Sequence, residues 1–287
     1  MTINYYLLFA FGAMLFWALG DFFIQKTTRK IGTIETLAFI GIFGSFALFP
    51  FVIRDLPNLF SRETIILLVF LGIITFIAAI FDFEALKICK LSTADIVMSV
   101  ELPITIVLSY LLLGEKLTLV QIGIVGVILL GTILTATESW TDWKIKLERG
   151  IILAFTAAIT MGFVNFFTSI SSRNISPVMA IWFPWVIFSI LCIIILIKKK
   201  GLKPFLYHTS EFKWLILAIA VFDTLAWLFY ALATVKEKIG ITLAITEAYP
   251  AIALLLGIWI NKEKINWHQG VGAALALAGS ITLAFFV

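Results

Sequence analysis

Ten apolar runs follow one another along the chain, each long enough to cross a bilayer. A spanning helix needs about 20 apolar residues. The runs lie at approximately 5–25, 34–53, 64–86, 92–113, 118–137, 149–170, 178–197, 213–234, 240–260 and 268–286. Only 13% of the 287 residues are charged, against about 25% in soluble domains. In hydrocarbon every backbone N–H and C=O must be paired within the protein, and a helix does this alone. The expected class is therefore all-α: a polytopic membrane protein with ten transmembrane helices. The net charge of +4 does not point to nucleic acid, because the bases sit in short clusters between runs, such as Lys26-Thr-Thr-Arg-Lys30 and Lys198-Lys-Lys-Gly-Leu-Lys203. Such clusters set topology. The first run lacks a basic leader and reads as a retained helix, not a cleaved signal. Cys89 and Cys192 lack metal-ligand spacing and read as packing residues.

The halves of the chain repeat. A shift of 144 superposes Ala10 on Ala154, Phe22-Phe23 on Phe166-Phe167, Arg29 on Arg173, and Asp21 on Asn165. A shift of 148 superposes Glu115-Lys116 on Glu263-Lys264, Gln121 on Gln269, and Gly131 on Gly279. The polar stretch around Glu138 to Arg149 separates the copies, placing the halves at 5–137 and 149–286. Five helices per half is an odd number, so the second half must be inverted in the membrane. Inverted repeats are a recurring design of secondary transporters, with the substrate bound near the midplane between them.

The fourth-to-fifth helix pattern carries a family resemblance. Pro103, Leu113-Gly-Glu-Lys-Leu-Thr-Leu-Val-Gln121, Gly123 and Gly131 return as Pro250, Lys262-Glu-Lys-Ile-Asn-Trp-His-Gln269, Gly272 and Gly279. With ten helices in two halves, the chain resembles the EamA-domain branch of the drug/metabolite transporter superfamily, over nearly its whole length. The resemblance implies a small-molecule transporter and leaves the substrate open. It also implies cytoplasmic termini. Charge says otherwise: 15 of the 21 Lys and Arg lie on the side of the helix 1–2, 3–4, 5–6, 7–8 and 9–10 connections. The positive-inside rule then puts both termini outside.

Seven acids fall within the runs: Asp21, Asp82, Glu84, Asp95, Glu101, Asp223 and Glu247. A charge at the bilayer centre costs about 2.5–3.5 kcal/mol or more, so intramembrane acids are functional candidates. Asp95 near a helix start is favoured by the dipole, and Glu84 is within reach of Lys87 or Lys90; both read as structural. Glu101 and Asp223 lie near mid-span, with Asp21, Asp82 and Glu247 nearer the ends. Trp17 stands i, i+4 from Asp21, and Asp223 stands likewise from Trp227, with Tyr230 on the same side. Aromatic walls with a few polar groups suit a small-molecule pocket; Asn165 and Tyr249 add neutral hydrogen-bonding groups. Pro103 and Pro250 each remove a backbone donor one turn after Ser99 and Thr246, so helices 4 and 9 are expected to kink beside Glu101 and Glu247. Under the 148 shift Glu101 meets Tyr249 and Glu247 meets Ser99, so the scaffold repeats while its chemistry does not, and Glu247 is expected nearer one face. Gly123, Gly126, Gly131, Gly270, Gly272, Ala274, Ala276 and Ala278 read as a close-packing surface of helices 5 and 10.

The expected function is secondary active transport, as an exporter or exchanger, of small polar or amphipathic metabolites such as amino acids or amines. An interior rich in acids and poor in bases favours cationic or zwitterionic cargo and permits proton coupling. A flippase for lipid-linked carriers is the alternative. An intramembrane enzyme is the more distant one, since no HExxH, GxSxG or paired-aspartate motif occurs and His208 and His268 lie near connections. The chain has no nucleotide-binding loop. The expected partners are a small-molecule substrate, protons and the lipid bilayer, with no cofactor, metal or nucleic acid, for a monomer in the plasma membrane.

Overall fold

The computed structural model describes residues 5–89, 91–137, 149–199, 203–261 and 265–286. Lys90, Glu263-Lys264 and most of the stretch between the halves lie outside the described residues. The helices are α1 (Tyr5–Ile31), α2 (Thr33–Val52), α3 (Arg62–Ile88), α4 (Leu91–Met98), α5 (Glu101–Leu113), α6 (Leu119–Ala136), α7 (Arg149–Asn174), α8 (Pro177–Lys199), α9 (Lys203–Glu211), α10 (Lys213–Ala233), α11 (Ile239–Thr246), α12 (Tyr249–Asn261) and α13 (Trp267–Phe285). They supply ten spans of membrane-crossing length and hydropathy, and α9 is a short surface connection with no buried residue. The chain is a multi-pass integral membrane protein.

The fourth and ninth spans are broken where smooth kinks were expected. Residues 99–100 and 247–248 form turns between half-helices. Pro103 is then the third residue of α5 and Pro250 the second of α12. There the missing N–H leaves no helical bond unmade, which is where proline is tolerated. Ser99 O instead accepts the weaker i→i+3 bond from Leu102 N at 3.4 Å.

The repeat is visible in how the helices pair. α1 packs along α10, and its counterpart α7 packs along α3, the counterpart of α10. α2 packs on α8, and α6 on α13, so each of these pairs is its own counterpart. This is the pattern a two-fold axis in the membrane plane produces, and the fold is two inverted five-helix repeats.

The α6–α13 pair shows what the repeated glutamines do. Thr118 and Gln121 form a capping box at the start of α6, and Asn266 and Gln269 form one at the start of α13. Each glutamine amide then reaches the far end of its partner helix: Gln121 Nε2 donates to Phe286 O at 2.9 Å, and Gln269 Nε2 to Thr135 O at 3.2 Å. Between these clamps the backbones touch. A Cβ on Gly131 would lie 2.5 Å from Ala276 N, and one on Gly272 would lie 2.5 Å from Thr135 N. The expected small-residue surface is narrower than its sequence. Gly123 and Gly126 face open space, and Ala274 and Ala278 are exposed; Gly131, Gly272, Ala276 and Gly279 lie in the contact.

Candidate functional site

The two breaks turn Glu101 and Glu247 toward each other. Glu101 opens α5, and Glu247 caps the end of α11. Both are at least 90% buried, and their carboxyl groups lie beside each other. Glu101 Oε2 has no further partner among the described residues. The turn at 247–248 brings the Glu247 side chain into the same cavity as Glu101.

These glutamates line a cavity of about 70 Å3. Asp21 of α1, Asp82 of α3, Asp95 of α4 and Asp223 of α10 line it too, so six carboxyl groups from both halves share one chamber. No Lys, Arg or His is among the lining residues. Tyr249 ties two of the acids: its hydroxyl donates to Asp95 Oδ1 at 3.3 Å and also meets the Asp21 side chain. Asp95, read from the sequence as structural, joins the other acids here. It is the fifth residue of α4 rather than a terminal one, is 6% exposed, and faces the other acids. Glu84 does take the structural role, held by Thr33 Oγ1 at 2.6 Å and Lys87 Nζ at 3.3 Å.

Trp17, Trp227, Asn165 and Tyr249 all line the cavity. Trp17 and Trp227 meet edge to face with centroids 5.3 Å apart. Tyr230 does not line it. It stands behind both tryptophans, at 5.6 and 6.0 Å, and its hydroxyl lies 3.2 Å from Asn165 O and 3.2 Å from Ser169 Oγ. Its position braces α7 and leaves the face to Asn165. Pro103 is exposed and Pro250 buried, and neither lines the cavity; they act only by shaping the breaks. Sequence reasoning passed over Trp185 and Phe188 of α8, which complete the aromatic wall. The tryptophan i, i+3 from Phe188 in a span with no acid carried no distinguishing signal.

Asn165 is the exceptional polar group. It is 1% exposed, lines the cavity, and neither its Nδ2 nor its Oδ1 has a partner among the described residues. Trp185 Nε1 is likewise unpartnered. It shares a gap over Gly44 with Thr224 Oγ1, both lying within 3 Å of where a Gly44 Cβ would stand.

The cavity reaches from the middle of the spans toward one side of the membrane. Asn165, Trp185 and Asp223 line it from mid-helix, and the late turns of α1 and α3 and the early turns of α2 and α4 extend it toward the α1–α2 and α3–α4 connections. The opposite side is shut. Arg173, at the end of α7, donates to Thr234 O at 2.7 Å, to Glu237 O, and to Glu115 Oε1 at 2.6 Å. Glu115 Oε2 accepts from Ile239 N at 2.9 Å. One arginine thereby joins α7, the α10–α11 turn and the loop after α5. The aligned Arg29 is exposed and donates to Lys87 O at 3.3 Å and Cys89 O at 2.8 Å; Glu263, which aligns with Glu115, lies outside the described residues.

The sequence profile of the EamA-like transporter family matches residues 4–137 and again 148–285. A solved structure titled only "Crystal structure of protein" superposes with a TM-score of 0.77 at 15% identity, covering 98% of this chain and 96% of its own. That likeness is one of fold. No curated protein matches the sequence.

Proposed function

The chain belongs to the EamA-like transporter family, and on that premise we propose that it is a proton-coupled secondary transporter, an exporter or exchanger of small polar metabolites such as amines or amino acids. The observation that supports this reading is the shared chamber: six carboxyl groups from both halves, with no base among the lining residues. Carboxyls this close together in a largely buried site do not all ionise at once, so the chamber takes up protons. An arriving cation favours the ionised form and displaces them. Glu101 and Glu247, side by side, share one exchangeable proton, and Asp21, Asp82 and Asp223 offer further exchangeable sites. Trp17, Trp227 and Asn165 contact the cargo, and Tyr249 relays between Asp21 and Asp95. The halves 5–137 and 149–286 rock about this site, pivoting on the broken spans near Pro103 and Pro250, in a protein that works as a monomer.

Proteoliposomes with an internal pH dye test the reading. An outward proton gradient is imposed, and amines and amino acids are added one at a time. At least one compound collapses the gradient through the wild-type protein, and Glu101→Gln, eluting as a monodisperse peak, does not respond. A full response in Glu101→Gln removes that residue from the coupling, and no response to any compound in wild type rejects proton-coupled transport of this class.

A further inference from the structure

We infer that the outer face of α2 and α10 holds an anionic glycerophospholipid, with an acyl chain in the groove between the two helices and the phosphate on Lys213. The site is separate from the acid-lined cavity, and the inference does not depend on the transport reading.

The groove is the first observation. α2 and α10 pack against each other and leave between them an apolar groove of about 570 Å3, open along its length. Phe43, Phe46 and Ala47 of α2 and Leu217 of α10 line it, with the buried Ala220 at its far end. From Lys213 to Ala220 it runs about 10 Å along α10, at roughly 1.5 Å per residue. That is about two thirds of the roughly 15 Å of hydrocarbon in one leaflet.

The second observation is charge at one end only. Lys213 and Thr209 line the groove there. Lys213 Nζ has no ion-pair partner among the described residues and stands 5.7 Å from the centre of the Trp214 ring. Glu211 does not line the groove. Lys213 opens α10, where the helix dipole disfavours a cation, so its own helix gives no reason for the charge. An ammonium at the mouth of an apolar groove complements a phosphate above an acyl chain. A zwitterionic lipid brings its own cation to the same place and gains less.

The third observation is depth. Tyr207 of α9 and Trp214 are 64% and 74% exposed, and tyrosine and tryptophan collect at the headgroup level of a bilayer. α9 is held over the start of α2: Phe205 stacks on Phe39 with centroids 4.2 Å apart, and His208 Nδ1 lies 2.5 Å from Glu35 Oε2. Lys213 follows α9 closely and is thereby fixed at the level of the phosphates, while Phe46, Ala47 and Ala220 lie deeper, in hydrocarbon.

Native mass spectrometry of the full chain tests the site. Protein in detergent is mixed with equal amounts of a phosphatidylglycerol and a phosphatidylcholine of identical acyl chains. Wild type is expected to retain the phosphatidylglycerol about fivefold over the phosphatidylcholine, the effect of one basic residue on an anionic lipid. Lys213→Gln lowers that ratio to near one, and Lys213→Arg keeps it. Lys203→Gln, an exposed charge on the same side but outside the groove, keeps it too. Ala47→Trp fills the groove and removes one bound lipid; should it fail to fold, Leu217→Trp fills the groove from the facing helix. Equal retention of the two lipids by wild type, or a ratio that Lys213→Gln leaves unchanged, overturns the phosphate site. A lipid count that neither tryptophan lowers overturns the groove. A lipid-free wild-type dimer that Ala47→Trp separates into monomers assigns the groove to a second copy of the chain and overturns the inference as well.

Discussion

Asn165 occupies the corner of the site where function and stability pull apart. Its amide is buried without partners, and an unsatisfied buried polar group costs about 1–3 kcal/mol. Leucine has similar bulk and no polar atoms. Asn165→Leu is therefore expected to stabilise the detergent-purified protein by about 1–3 kcal/mol, read as a higher unfolding temperature, while it abolishes transport. A lower unfolding temperature would show that the amide has partners in solution. Much of the site was legible at this scale, because an acid in an apolar run stands out at once. Asp21, Asp82, Glu101, Asp223 and Glu247 all reach the chamber, and Asn165 came from its alignment with Asp21. The place of Asp95 among these acids was not legible, because its favourable position near a helix start explained it without a ligand. Trp185 was passed over because tryptophan in a membrane span has too many ordinary roles.

At the scale of elements, equal glycines have unequal meaning. Gly131 meets backbone on α13 at 2.5 Å, whereas Gly123, two turns earlier on α6, meets nothing within 4 Å. Gly131→Ala must push two clamped helices apart and is expected to destabilise the protein by about 1–3 kcal/mol, as overpacking typically does. Gly123→Ala meets no neighbour and is expected to be neutral or stabilising by up to about 1 kcal/mol, since alanine is the better helix former. Thermal unfolding of the pair decides it, and equal effects would place the α6–α13 contact elsewhere. Pattern alone marks both positions as small and cannot say which face meets a helix and which meets lipid, because both surroundings are apolar. The same limit applies to the broken spans. Pro103 and Pro250 announce disturbed helices, but whether α4 and α5 bend or break depends on what receives Ser99 and Glu101, and that is tertiary. The repeated glutamines were legible as a match and not as a mechanism, since the clamp from Gln121 to Phe286 joins residues 165 positions apart.

For the whole molecule, the question is which side each face of the membrane sees. The cavity side carries 15 of the 21 basic residues, and the positive-inside rule predicts that it is cytoplasmic; the Arg173 latch is then expected to face outward. Hydrogen bonds to charged groups contribute about 1.5–3 kcal/mol each, and Arg173 makes three. Losing even one net bond of that size shifts the balance between closed and open states about tenfold or more. Ser109 lies below the latch on α5, is 2% exposed, and its hydroxyl donates to Thr105 O of the same helix at 2.8 Å. With Cys89 and Cys192 replaced by serine, Ser109→Cys reports whether this side opens. A membrane-impermeant maleimide added to intact cells is expected to label Ser109→Cys slowly with Arg173 present and at least tenfold faster with Arg173→Ala. Labelling that appears only after the membrane is permeabilised keeps the latch and reverses the orientation, returning both termini to the cytoplasm as the family resemblance implies. Unchanged labelling from either side would mean that the barrier lies in the packing of α5, α7 and α11, with Arg173 serving only to hold the α10–α11 turn.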